Sequence, residues 1–110
     1  MSSKKTDIHV QEPHFSNISS GKKTIEGRLA KPSYQNLEPG DVLTINDSLK
    51  MTVVATRQYP SFAAMLEHEG LDNVLPGTKD ISMGVEIYRA FYPEDLEKRD
   101  GVIAIQLVHL

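Results

Sequence analysis

The residues able to do chemistry crowd into one short run, Ser20-Gly21-Lys22-Lys23-Thr24-Ile25-Glu26-Gly27-Arg28. On an extended strand, period 2 puts Thr24, Glu26 and Arg28 on one face, with Ile25 and Gly27 opposite. Glu26 and Arg28 there either pair directly or share an anionic ligand. Arg offers a planar fork of donors and Lys a point charge, a combination suited to phosphate or to the edge of a base. Glu26 holds the cations in place or accepts from a base amino group. Strict alternation turns Lys23 the other way, so it joins the same cleft only if the strand begins irregularly. The plain alternative is an ion pair, Glu26–Arg28, that does no more than brace a strand.

Other chemistries are excluded by what the 110 residues lack. There is no Cys, hence no disulfide, thiolate metal site or thiol nucleophile. His9, His14, His68 and His109 are far apart and show no metal-ligand spacing, so no metal is expected. No Gly-rich phosphate or dinucleotide loop and no Gly-x-Ser-x-Gly elbow occurs, and no cofactor is implied. Aromatic residues make up 6%, too few for a long single-strand stacking platform. The longest apolar runs, such as Gly101–Ile105, fall far short of the roughly 20 residues that span a bilayer, so no membrane role is expected. Residues 1–6 carry charge with no apolar stretch behind it, unlike a signal peptide. The default is a monomer of the cytosol, or of a nucleus it is small enough to enter.

The net charge of −3 is unevenly spread. Residues 1–60 hold eight Lys/Arg and six Asp/Glu (+2), and residues 61–110 hold four and nine (−5). Lys22, Lys23, Arg28 and Lys31 gather around the single acid Glu26, so one local basic patch is possible on a chain that is no basic nucleic-acid coat.

The elements that must position this cluster follow from pattern and punctuation. Residues 1–6 read as a disordered tail and residues 7–110 as one domain. Asp7–Val10 is extended, a helical turn follows through Phe15 and Ile18, and Gly21 ends it as a helix C′ or turn residue. Lys23–Leu29 reads as a strand stopped by Lys31-Pro32. Glu38-Pro39-Gly40-Asp41 is a turn. Val42–Ile45 and Lys50–Tyr59 are strands separated by Asn46-Asp47-Ser48. Ser61 caps a helix over Phe62–Glu69, and Leu71–Leu75 is a further turn. Ser82–Phe91 is the main helix, with Met83, Ile87 and Phe91 as its inward stripe and Val85 and Tyr88 flanking it. Pro93 breaks that helix, and one more turn runs through Leu96. Gly101–Leu110 is apolar at nearly every position, as a strand covered on both faces would be. The order implies an α+β fold, a small curled or barrel-like mixed sheet of about five strands with two to three helices packed on it.

Gly21, Lys23, Glu26 and Arg28 match Gly-x-Lys-x-x-Glu-x-Arg, and here the chain resembles the ASCH domain family, small β-barrels related to the PUA domain of RNA-modifying proteins. The likeness continues through the Glu38–Asp41 turn, the strand ending at Asn46, the Tyr59–Phe62 approach to a helix, the Tyr92-Pro93 break and the closing Gly101–Ile105 strand. The resemblance implies a PUA-like barrel that binds single-stranded RNA, a nucleoside or a nucleotide, with Gly21, Lys23, Glu26, Arg28, Asn46 and Tyr92 around the ligand. It also implies an alternative, since some small bacterial members look like N(4)-acetylcytidine amidohydrolases that use the motif Lys, a Thr three residues later and a distant Glu. Here the Lys is Lys23, but Glu26 stands at the Thr position, and Glu67, Glu69 and Glu86 compete as the distant acid. Glu26 would then be a general base on water, with Lys23 or Arg28 stabilising the oxyanion. A third reading, from the acidic second half, is a protein-interaction module.

Lys23, Glu26 and Arg28 are expected to converge on one concave surface, walled by the segment around Asn46 and by the Tyr88–Tyr92 helix end. Three charges that close are expected to stay partly exposed, because burial costs several kcal/mol per ion. Truncating Lys23 or Arg28 is then expected to cost about 1 kcal/mol or less. Phe62, Tyr88 and Phe91 are read as core, and Tyr59 and Tyr92 as rings at the edge of a cleft.

Overall fold

The computed structural model describes residues 5–110. The expected tail over residues 1–6 lies outside the described residues except for Lys5 and Thr6, which already belong to the first strand, β1 (Lys5–Ile8). The others are β2 (Ile25–Leu29), β3 (Val42–Ile45), β4 (Leu49–Tyr59) and β5 (Val102–His109). They form one curled sheet in the order β1-β3-β4-β5-β2, a half-barrel with β1 and β2 as its open edges. β1 runs parallel to β3, and every other pairing is antiparallel.

Local chemistry explains how the hairpin between β3 and β4 closes. Asn46 and Asp47 both take positive φ, 51° and 62°, and Ser48 N–H donates to the Ile45 carbonyl at 3.2 Å. This is a type I′ turn, whose twist suits a tight hairpin and whose left-handed positions Asn and Asp tolerate. A bulge between Val53 and Ala55 in β4 deepens the curl against β5.

β5 lies between β4 and β2, as its apolar run implies, and its two faces feed two cores. Ile103, Ile105 and Leu107 pack with Ile18, Leu43, Ile45 and Val53 inside the half-barrel. Val102 and Ala104 pack outward with Phe62, Met65, Leu66 and Tyr88 of the covering helices. The strand's last residues, Val108 and His109, leave this cover and are exposed.

Among the described residues six helices complete the α+β architecture. They are α1 (His14–Ser19), α2 (Pro32–Gln35), α3 (Phe62–Glu69), α4 (Leu71–Val74), α5 (Ile81–Arg89) and α6 (Glu94–Asp100). The Ser61 hydroxyl caps α3 by accepting from Ala64 N–H at 3.1 Å, and the Asp80 carboxylate caps α5 through Met83 N–H at 2.9 Å. Pro32 does more than stop a strand. It occupies the first position of α2, where its missing N–H costs nothing.

Two expectations about the helices need correction. The turn after Pro93 continues to Asp100, held by the buried Glu97, whose carboxylate accepts from Phe62 N–H at 2.7 Å and from Arg89 at 2.8 Å. The inward face of α5 is centred on Gly84 and Tyr88, not on Met83, Ile87 and Phe91; Met83 is 47% and Phe91 43% exposed. A Cβ at Gly84 would lie 2.8 Å from a Leu66 methyl, so the missing side chain lets α5 approach α3 along that line. Counting only large apolar residues rotates the stripe to the wrong face.

Candidate functional site: an inward charge cluster between the two sheet edges

The motif places its residues by failing to be regular at the start. Gly21, at φ +86°, lets the chain leave α1, its N–H donating to the Ile18 carbonyl at 3.1 Å. Lys23 N–H then bonds the Asn17 carbonyl at 2.9 Å and Thr24 N–H the Asn73 carbonyl at 3.0 Å, so the strand begins at Ile25 rather than Lys23. This irregular start swings Lys23 onto the side of Glu26. Within β2, Glu26 lies opposite Ile105 and Arg28 opposite Ile103, so both turn into the half-barrel. Gly27, opposite Ala104, turns toward the helices.

The three charged groups touch. Lys23 Nζ lies 3.3 Å from Glu26 Oε1, and Arg28 Nε donates to Glu26 Oε2 at 2.8 Å. Contrary to expectation, Lys23 is sealed at 1% exposure and Glu26 at 7%. The ammonium also donates to the carbonyls of Ile25 and Val74, each at 2.6 Å. Three acceptors match its three N–H bonds, so burial leaves it with no donor unsatisfied. Arg28 keeps 16% of its side chain exposed. The expected basic patch is therefore divided, with Lys22 and Lys31 exposed and Lys23 and Arg28 turned inward.

Electrostatics follow from this packing. Burial pushes the Glu26 carboxyl upward, but Lys23 and Arg28 outweigh it and hold the group below the ordinary carboxylate range. Burial pulls the Lys23 ammonium down from its usual value, with Glu26 pulling the other way. His14, half-buried near the cluster, is pushed down by desolvation first and by Lys23 second. The set carries two cations and one anion, a net positive charge in a poorly solvated place.

A cavity of about 380 Å³ opens over this cluster. Lys23, Glu26, Arg28, Asn46 and Tyr92 all border it, with the Tyr88 end of α5. Gly21 does not; it is exposed and acts on the backbone path alone. Asn46 builds the wall, its amide exchanging hydrogen bonds with the Val10 backbone at 2.8 and 2.9 Å. Tyr92 stacks on Phe62 with ring centroids 5.5 Å apart, and burial pushes its hydroxyl pKa up. Sequence reasoning missed His9, Gln11, His14 and Phe91, which complete the rim. Only the folded chain brings the stretch after β1 against the end of α5, where His14 and Phe91 meet edge to face at 6.5 Å.

The remaining candidates lie elsewhere. Tyr59 stacks on His68 and donates to Glu69, which also takes a bidentate pair from Arg57 at 2.6 and 2.7 Å. Glu67 and Glu86 are exposed, and none of Glu67, Glu69 and Glu86 borders the cavity. Among the described residues no group of His, Asp and Glu is placed to hold a metal ion. No helix among them is long and apolar enough to cross a membrane.

A curled five-stranded half-barrel, with a buried Lys–Glu–Arg cluster at the gap between its edges, defines a PUA-like module. The ASCH domain family's sequence pattern matches residues 8–110, and the chain belongs to that family. No curated protein matches it. Two solved structures are similar over nearly the whole chain. One is the crystal structure of a hypothetical protein, PH0355, at 44% identity and a TM-score of 0.93, covering 96% of this chain and 99% of that one. The other is the solution structure of protein PF0455 from Pyrococcus furiosus, at 45% identity and a TM-score of 0.81, covering 96% and 97%.

Proposed function

We propose that the protein binds a nucleotide unit, free or within single-stranded RNA, in the cavity above Glu26 and Arg28. The observation that carries this reading is the carboxylate and guanidinium side by side, 2.8 Å apart, on the floor of a cavity with aromatic walls. An acceptor beside a donor fork complements the amino and carbonyl groups that sit next to one another on a base edge. Among the described residues three of the five Arg28 donors are engaged, by Glu26, by the His9 carbonyl at 2.6 Å and, weakly, by the Tyr34 hydroxyl at 3.5 Å. Glu26 carries about four lone-pair positions, and two bonded partners do not exhaust them. Tyr92, Phe91 and His14 bring three rings to the cavity wall, and aromatic contact is the usual means of holding an unpaired base. The volume falls within the range of small-ligand sites.

The geometry favours binding over hydrolysis. A lysine that serves as base must shed a proton; burial pulls Lys23 that way, but Glu26 and the carbonyls of Ile25 and Val74 engage all three of its N–H bonds. Its role is to keep Glu26 ionised. Glu26 as a general base on water is the form in which an amidohydrolase reading survives.

Titration with free cytidine, adenosine monophosphate and short single-stranded RNAs tests the proposal, with Arg28→Ala as the control. Saturable binding that falls at least tenfold in the variant is the expected result. Binding indifferent to Arg28 overturns it. Release of cytidine from N(4)-acetylcytidine, lost in Glu26→Gln, would replace the binding reading with the hydrolytic one.

A further inference from the structure

We infer that the ligand is a chain of at least two nucleotides, the second seated in an adjoining cavity between α1 and α5. This rests on the reading of the first cavity as a nucleotide site. The second cavity, of about 360 Å³, shares His14, Leu75, Ile87 and Phe91 with the first. The two adjoin as one groove, and the His14–Phe91 edge-to-face pair borders both of its halves.

The halves differ in chemistry as a base-reading and a base-stacking site would. The first holds the buried charges. The second is walled by Pro13, Pro76 and Ala90 and carries polar groups at Asn17 and Thr78. Such a surface offers little hydrogen-bond readout and much flat apolar contact, which suits any base rather than one. Phe91 is 43% exposed and belongs to neither core, and it borders both halves. A ring in that position packs against the bases on either side of it. The exposed Lys79 is next in the chain to the rim residue Thr78, a cation close in sequence to that side of the groove. A mononucleotide leaves this half of the groove empty, and a dinucleotide fills it.

The test compares binding of a nucleoside monophosphate with that of dinucleoside monophosphates, in the native protein and in Ala90→Trp. Ala90 is exposed and borders only the second cavity, so the indole fills that half and leaves the charged half intact. The native protein should bind dinucleotides roughly tenfold tighter than the mononucleotide, as one further stacked base allows. Ala90→Trp should erase that gain and leave mononucleotide affinity unchanged. Thr78→Trp, from the other rim, is the second blocking variant should Ala90→Trp fail to fold. Mononucleotide binding that depends on Arg28, with no gain for dinucleotides, overturns this inference alone. A gain that survives both blocking variants also overturns it, as does a second cavity that binds a protein partner while ignoring dinucleotides. Absence of binding by either ligand overturns the nucleotide reading itself.

Discussion

Arg28, on one open edge of the sheet, donates to the carbonyl of His9, just beyond the other open edge, at 2.6 Å. A single guanidinium thus spans the gap in the half-barrel while its Nε holds Glu26. The same group closes the fold and floors the cavity, so stability and binding are coupled at this position.

Arg28→Lys separates the two roles. A lysine keeps a positive charge near Glu26 but cannot bond Glu26 and His9 together in fork geometry. The expected loss is about 1–2 kcal/mol of unfolding free energy, read by urea denaturation. Nucleotide affinity should fall at least tenfold, read by titration calorimetry.

Lys23→Ala should be far more damaging than exposure-based reasoning expects. It leaves a buried carboxylate short of one partner and two buried carbonyls without donors. Breaking a buried pair in this way costs about 3–5 kcal/mol. The double variant Lys23→Met, Glu26→Gln should recover part of that loss, because it removes the charge as well as its partner. A double-mutant cycle by denaturant unfolding checks this, with strongly non-additive costs as the expected result.

Acid stability should fall in two stages. Glu26 has a folded pKa held below its ordinary 4.5, so its contribution is present above that value and is lost as pH falls from 4.5 through the folded pKa. His14 is a base whose folded pKa is pushed below its ordinary 6.5, so the unfolded chain takes up the proton first. Stability therefore begins to fall as pH drops below 6.5. Unfolding followed from pH 7 to 3 should show both stages in the native protein, with the upper one missing in His14→Gln.

Gly27→Ala should strain the helix face and press on Tyr88 at the cavity wall. The added Cβ would lie 2.7 Å from both the Met65 methyl and the Tyr88 hydroxyl. Met65 is flexible enough to move, but Tyr88 is stacked on Phe62 at 4.2 Å and sits in the core. Overpacking of this kind costs about 1–3 kcal/mol. Thermal unfolding should report that loss, and ligand titration a weaker site, since Gly27 and Tyr88 both border the cavity.

Asn46→Gly distinguishes backbone conformation from side-chain bonding. Glycine accepts the φ of +51° without strain, yet removes both amide bonds to Val10. Stability should drop by about 1 kcal/mol. Amide exchange across residues 9–11 should quicken more than in the strands.

Much of this protein was legible in the chain. Period-2 and period-3.6 patterns, the Asn46–Ser48 turn, the Ser61 cap and the Pro93 break located the main elements, because each rests on local sterics and hydrogen bonding. The Glu26–Arg28 pairing was legible too, since two residues apart on a strand share a face. What required the tertiary structure was everything set by close approach between distant segments. Gly84 alone lets α5 roll its Tyr88 face onto α3, and no periodicity of large residues records an absent side chain. Burial of Lys23 depends on the carbonyl of Val74, 51 residues away. The rim of the cavity depends on His9 reaching Arg28 and His14 meeting Phe91 just past α5. Local rules decide which face a residue takes on its own element; only packing decides what covers that face, and hence whether a charge is solvated or sealed.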